Sequence, residues 1–314
     1  MKKSTKCILA TVGISVAAIY AYNKYTEINA TSKNLLTNEN GDYFTWNDYQ
    51  IFYTKSGSGS PILLVHDADA TSSGTEWSKI IHRLEKNHTV YCIDLLGCGR
   101  SNKPALEYTN YLYVQIISNF IKEVIGEKTN VVSTNMSASF IVMANHMDDT
   151  LFEKIILINP VSLKQMDIIP DKLTKLKKRI IELPFIGTFI YNLMTNPTRI
   201  DTAFRDCYYA KPQLISHKLE DAYYEAAHLD GSNGRYLYSS ILGNYVNNTI
   251  THAIKKLEAP TLIIGCKELK KYEHILDDYH NVNSTLEIMR INNGSLYPQL
   301  EIPEKITSII EEYL

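Results

Sequence analysis

A mostly parallel β-sheet covered by helices, interrupted once by a helical insertion, is the α/β fold that the sequence predicts. Three observations predict it. From Tyr43 onward, short runs rich in Val and Ile alternate with longer stretches of helical period, the pattern of strands connected through helices. Between Leu163 and Asn248 the strand signal stops and a Tyr-rich helical stretch intervenes, after which Ala259-Pro260 opens a new strand. The 314 residues, 45% hydrophobic and 21% charged, suffice for one large domain with a full core and are unlike a disordered chain.

Lys2, Lys3 and Lys6 precede an uncharged stretch from Cys7 to Tyr22. As a helix that stretch is about 24 Å long against a ~30 Å hydrocarbon core, with Tyr20, Tyr22 and Lys24 placed for the interface. Residues 1–30 therefore read as an uncleaved membrane anchor. The alternative is a cleaved signal peptide, although no clean A-x-A site precedes Lys24. With the basic residues ahead of the span, a single-pass protein with a cytoplasmic N-terminus and an external domain is expected.

Strands are predicted at Ile51–Thr54, Pro61–His66, Thr89–Asp94, Asn130–Thr134, Lys154–Asn159, Thr261–Gly265 and Leu286–Ile291, most of them apolar throughout and so buried on both faces. Helices are predicted at Glu76–Glu85, Asn110–Ile125, Met136–Met147 and Pro303–Tyr313, the last opening with a proline where its missing N–H is harmless. The core thus divides into residues 43–162 and 251–314 around a cap of residues 163–250. Within the cap Lys172, Lys175, Lys177, Lys178 and Arg179 cluster, either as a solvated helix face or as a contact with anionic lipid.

A net charge of −2 argues against a phosphate-tracking surface and hence against a nucleic-acid partner. The five cysteines Cys7, Cys92, Cys98, Cys207 and Cys266 show no C-x-x-C spacing and read as free structural thiols, not as a metal site or disulfide framework. Unpaired thiols fit an external domain best in a reducing setting. No G-x-G-x-x-G or P-loop is present, so no nucleotide cofactor is implied.

Several motifs in order carry a resemblance. Pro61-Ile-Leu-Leu-Val-His66 is followed by Trp77, then by the turn Asp94-Leu-Leu-Gly-Cys-Gly-Arg-Ser101 with Lys103-Pro104, then by Val131-Val-Ser-Thr-Asn-Met-Ser137. After the cap come Pro260-Thr-Leu-Ile-Ile-Gly265 and Pro298-Gln-Leu-Glu-Ile-Pro303. Over about four-fifths of its length the chain resembles the α/β-hydrolase superfamily, and the phrase Tyr223-Tyr-Glu-Ala-Ala-His228 is similar to that of membrane-anchored bacterial members. The resemblance implies an oxyanion loop after His66, a nucleophile elbow near Asn135, an acid after Gly265 and a catalytic histidine shortly before Pro298.

Hydrolysis in such a site needs a nucleophile on a G-x-S-x-G elbow, a histidine, an acid to orient it and two oxyanion N–H donors. Ser133-Thr-Asn-Met-Ser137 places Asn135 at the nucleophile position, and an amide cannot attack a carbonyl. The alternative register, Asn135-Met-Ser-Ala-Ser139, makes Ser137 the nucleophile. At the histidine position stands Ser295 or Leu296, and none of the nine histidines follows the last strand. His228, His274 and His280 remain the candidates for a displaced base. Glu268 fits the acid position, or is a solvated loop carboxylate. The oxyanion donors would be the N–H groups of Ala68 and Met136, with Asp67 standing where glycine is usual and opposing any oxyanion.

Three readings follow. The first is a membrane-tethered, non-catalytic protein with an α/β-hydrolase fold, binding a small apolar ligand or a partner in the core–cap cleft, with tyrosines such as Tyr208, Tyr223 and Tyr238 as polar handles or as packing. The second is an ester or amide hydrolase acting through Ser137 with a displaced histidine. The third, dehalogenase or epoxide-hydrolase chemistry, needs a carboxylate nucleophile, and Asn135 is only the amide of one.

Overall fold

The apolar runs resolve into an eight-stranded sheet in the computed structural model, which describes residues 3–36, 41–269 and 272–314, with the side chains of the first helix described from residue 15. The strands are β1 (Asp42–Trp46), β2 (Tyr49–Gly57), β3 (Ser60–Val65), β4 (His88–Ile93), β5 (Thr129–Thr134), β6 (Phe152–Ile158), β7 (Thr261–Cys266) and β8 (Glu287–Ile291), in the order β1-β2-β4-β3-β5-β6-β7-β8. β1 and β2 enter antiparallel, and all pairs from β4 onward are parallel.

Successive side chains of a strand point to opposite faces, and the core divides accordingly. Leu63, Val65, Val131, Ile155 and Leu157 pack on one side with Tyr113, Phe120 and Phe140. Ile62, Leu64, Val132, Ile156 and Ile264 pack on the other with Trp77, Ile306 and Ile310. Burial on both faces is why these strands read as continuous apolar runs.

Six of the seven predicted strands match within two residues at each end, the first being longer than expected, and β1 is an addition to them. Helices Asn110–Phe120, Ser137–Met147 and Pro303–Tyr313 stand where periodicity places them, the first continuing as a π-turn to Ile125. The single helix expected over Glu76–Glu85 is instead a 3₁₀ turn, Gly74–Trp77, and a short helix, Ile81–Leu84. Between β6 and β7 lies the all-helical cap, including Lys172–Glu182, Ile186–Met194, His217–His228 and Arg235–Leu242.

The N-terminal helix spans Lys3–Thr31, and its C-terminal half lies on the cap: the Tyr22 ring meets Phe189 edge-on at 5.3 Å and Ala30 is buried. Among the described residues no helix is long and apolar enough to cross a membrane. The side chains at positions 7–14 of the expected span lie outside the described residues. Cys98, Cys207 and Cys266 are free thiols, and Cys92, Cys98 and Cys266 are buried.

Candidate functional site

Parallel strands bring their carboxyl ends to one edge, and ligand sites of open α/β sheets form there. Val65 of β3 is paired with Ser133 of β5, and Thr134 with Ile158 of β6. The segments leaving these strands, His66-Asp67, Asn135-Met136 and Asn159, must therefore meet.

Asn135 has φ 44° between β5 and the helix that starts at Ser137. This is a tight strand-to-helix turn with a residue in the left-handed region, which asparagine tolerates better than most side chains. The turn residue is Asn135, while Ser137 is already helical and its Oγ donates to the His66 carbonyl at 2.6 Å. Ser139 Oγ donates to the Met136 carbonyl and accepts from Asn110 Nδ2.

The Met136 amide, expected from the sequence to be an oxyanion donor, is taken by the protein's own carboxylate. Asp67, 4% exposed, accepts the Met136 N–H on Oδ1 at 3.1 Å, and Asn135 Nδ2 and the Tyr297 hydroxyl on Oδ2, both at 2.8 Å. Beneath it Glu76, wholly buried, accepts the Asp67 N–H at 3.0 Å, Thr134 Oγ1 at 2.5 Å and Gln299 Nε2 at 2.9 Å. Burial pushes the Asp67 carboxyl up to about 6 against these donors. Burial, reinforced by the Asp67 charge, pushes Glu76 up to about 8. At neutral pH the pair therefore keeps one proton, mainly on Glu76, and a negative charge on Asp67.

The buried histidines His66 and His228 are engaged elsewhere. His66 Nε2 accepts the Leu95 N–H at 2.9 Å, so the ring proton sits on Nδ1 and is donated to the Asp67 carbonyl at 2.7 Å. Burial lowers the pKa of this ring, which leaves a neutral side chain with both nitrogens used. His228 lies within the cap, bonded to the Tyr224 carbonyl and facing Thr195 Oγ1, its pKa lowered by burial to about 4. His274 and His280 are exposed on the helix Tyr272–Val282. Glu268 is exposed and accepts the Asn293 N–H at 2.5 Å, so it orients no histidine.

In the loop before Pro298, Ser295 Oγ donates to the Cys207 carbonyl, and the amides of Leu296 and Tyr297 donate to the carbonyls of Cys207 and Tyr208 in the cap. Neither Ser295 nor Leu296 reaches Asp67; Tyr297 does. Tyr297, Glu76, Gln299 and Thr134 are the members that motif counting misses. The available signal is Asp67 itself, since a carboxylate in place of the loop glycine must find donors.

Tyr208 packs on Tyr297 at 4.7 Å and, with Tyr223, Tyr238, Arg199 and Asp69, lines a cavity of about 110 Å³ between core and cap. The buried Tyr223 hydroxyl has no hydrogen-bond partner among the described residues. Larger clefts, such as one of about 440 Å³ beside Gly99–Lys103, lie away from the elbow.

The Asn135 position can be probed directly. Asn135→Asp sets a second carboxylate against Asp67, and two such groups within hydrogen-bonding distance must share a proton. The variant is expected to lose ~1–3 kcal/mol of stability at neutral pH and to regain it on acidification, read by urea unfolding at two pH values. Equal losses at both would contradict this account.

No family model matches the chain. It is 32% identical over 90 residues to a 2-hydroxy-6-oxo-6-(2'-aminophenyl)hexa-2,4-dienoic acid hydrolase of Metapseudomonas resinovorans, covering 28% of this chain and 31% of that protein. It is 42% identical over 60 residues to a haloalkane dehalogenase of Agrobacterium fabrum, covering 19% of each. The chain thus spans a third or less of the length of these relatives. Among solved structures, an epoxide hydrolase superposes with TM-score 0.69 at 18% identity, covering 87% of this chain and 98% of its own. A membrane phospholipase A does so with TM-score 0.69 at 14% identity, covering 100% and 98%. At such identities a structural likeness shows the fold, and with the strand order and elbow already described it leads to one statement: this chain has the α/β-hydrolase fold.

Proposed function

We propose that the chain is a non-catalytic member of this fold, tethered to a membrane by its N-terminal segment and binding a small apolar ligand or a partner between core and cap. The observation that carries the reading is the Asp67 carboxylate on the Met136 amide. A fixed anion there opposes the charge that hydrolysis develops, and electrostatic stabilisation of that charge is usually the largest catalytic term. The amide at the elbow and the engaged histidines support the same reading. The unpartnered Tyr223 hydroxyl supplies a polar handle for a ligand, although about 110 Å³ is below the ~300–1,000 Å³ of sites for drug-sized molecules, so a larger ligand requires the cap to move. The tether rests on the basic residues before Cys7–Tyr22 and keeps the domain outside the cytoplasm.

An ester or amide hydrolase acting through Ser137 is the competing reading, and one experiment separates the two. The full chain in detergent is incubated with a fluorophosphonate beside Ser137→Ala, and intact masses are recorded. We expect no adduct on either protein. A stoichiometric adduct on the unmodified chain that Ser137→Ala abolishes would establish an activated serine and end the non-catalytic reading.

A further inference from the structure

The helix Lys172–Glu182 has two different apolar faces. One is used by the fold: Ile181 and the stem of Lys178 are buried toward the helix Arg235–Leu242, with the Lys178 ammonium on Glu182 at 2.6 Å and over the Tyr245 ring. The other is unused. Leu173, Leu176 and Ile180, spaced i, i+3, i+7, form a stripe about a third of a turn away and are 58, 53 and 37% exposed. Ile169 before the helix and Phe185 and Ile186 after it are apolar too, and all are more than half exposed. Lys172, Lys175, Lys177 and Arg179 are exposed along its two edges.

A group of large apolar side chains exposed on one face of a folded domain marks an interaction surface, and its basic borders narrow the partner. Apolar side chains inserted at the level of lipid headgroups, with Lys and Arg reaching back to phosphates, are the chemistry of a helix lying in a membrane interface. The N-terminal helix meets the cap beside this strip. Asn23 Nδ2 donates to the Phe185 carbonyl at 3.2 Å, Asn192 Nδ2 to Asn23 Oδ1 at 3.0 Å, and Tyr22 contacts Phe189. The apolar stretch Cys7–Tyr22 therefore joins the domain next to the exposed strip.

We infer that the cap face formed by Ile169, Leu173, Leu176, Ile180, Phe185 and Ile186 docks on an anionic phospholipid bilayer. The inference rests on the membrane attachment proposed above and adds that this face of the cap lies against the lipid. Each basic residue near an anionic surface adds attraction that salt screens.

The test uses the full chain carrying Leu176→Trp, reconstituted in vesicles of phosphatidylcholine and phosphatidylglycerol with brominated acyl chains. Trp46 and Trp77 are buried and supply a constant background. The added emission is expected to shift to the blue and to be largely lost to bromine quenching. Charge reversal at Lys172, Lys175, Lys177 and Arg179, or replacement of phosphatidylglycerol by phosphatidylcholine, should weaken the quenching several-fold. Quenching indifferent to both changes would overturn the anionic partner. A blue shift without quenching would mean that protein, such as a second copy of the chain, covers the strip. A chain that floats with vesicles but shows neither effect would defeat the docking and leave the tether intact, whereas failure to float would defeat both.

Discussion

Arg100→Met is expected to destabilise the protein by ~3–5 kcal/mol, because it leaves a buried carboxylate without its counter-charge. Asp94 is fully buried and Arg100 nearly so, with Arg100 Nε on Asp94 Oδ2 at 2.7 Å and Nη2 on Oδ1 at 3.0 Å. The same carboxylate accepts the Gly74 and Arg100 backbone amides, and the guanidinium rests 4.0 Å above the Phe52 ring. Despite burial, the Arg100 charge and its hydrogen bonds hold the Asp94 pKa below the usual carboxylate range. Gly99, at φ 46°, is forced by the same arrangement, since a Cβ there would collide with the Asp94 carboxylate. The effect reaches the site because Gly74 begins the 3₁₀ turn that carries Glu76, on which the Asp67 amide is held. In urea unfolding, Arg100→Met combined with Asp94→Asn should lose much less than the two single changes added together. A loss below ~1 kcal/mol for Arg100→Met, the value of an exposed ion pair, would contradict this account.

The parts of the fold that are readable are those where local pattern and tertiary environment agree. β3, β5, β6 and β7 are enclosed on both faces, so their composition alone declares them. β1 escapes such a reading because only Phe44 and Trp46 of its five residues are buried, which is too short an alternation to stand out at a sheet edge. The helix over Glu76–Glu85 fails for a different reason: Glu76 is drawn to Thr134, Gln299 and the Asp67 amide, and a 3₁₀ turn capped by Ser73 delivers it there. At the site, the strand-to-helix turn at Asn135 can be read from spacing, whereas the identity of the residue facing Asp67 cannot. Counting from either end gives Ser295 or Leu296, but the loop's path is set by its hydrogen bonds to Cys207 and Tyr208 in the cap, contacts that spacing within the loop does not encode.

Thermal stability should fall as pH rises from the ordinary carboxylate range of ~4 to about 8, most steeply below about 6, because Asp67 is raised to about 6 and Glu76 to about 8. Both carboxyls hold protons more tightly in the folded chain than in the unfolded one. Their contribution is therefore complete below the ordinary carboxylate range of ~4 and is lost as pH passes first the Asp67 and then the Glu76 value. Asp94 has the opposite sign, its contribution being lost only on acidification, so the two effects occupy separate windows. Glu76→Gln should remove most of the alkaline loss, on the order of a few kcal/mol, because an amide needs no proton to remain neutral beside Asp67. The Gln299 Oε1 atom, buried without a hydrogen-bond partner among the described residues, is placed to accept from the new amide after rotation of either side chain. The same ionisation governs the candidate site: between the two steps Asp67 is charged while Glu76 is neutral, and the Met136 amide faces an internal anion where a reacting substrate would need it free. A melting midpoint that stays flat through this window, with Glu76→Gln no different from the unmodified chain, would mean that the pair is not coupled to folding, and the anion held at Met136 would lose its electrostatic basis.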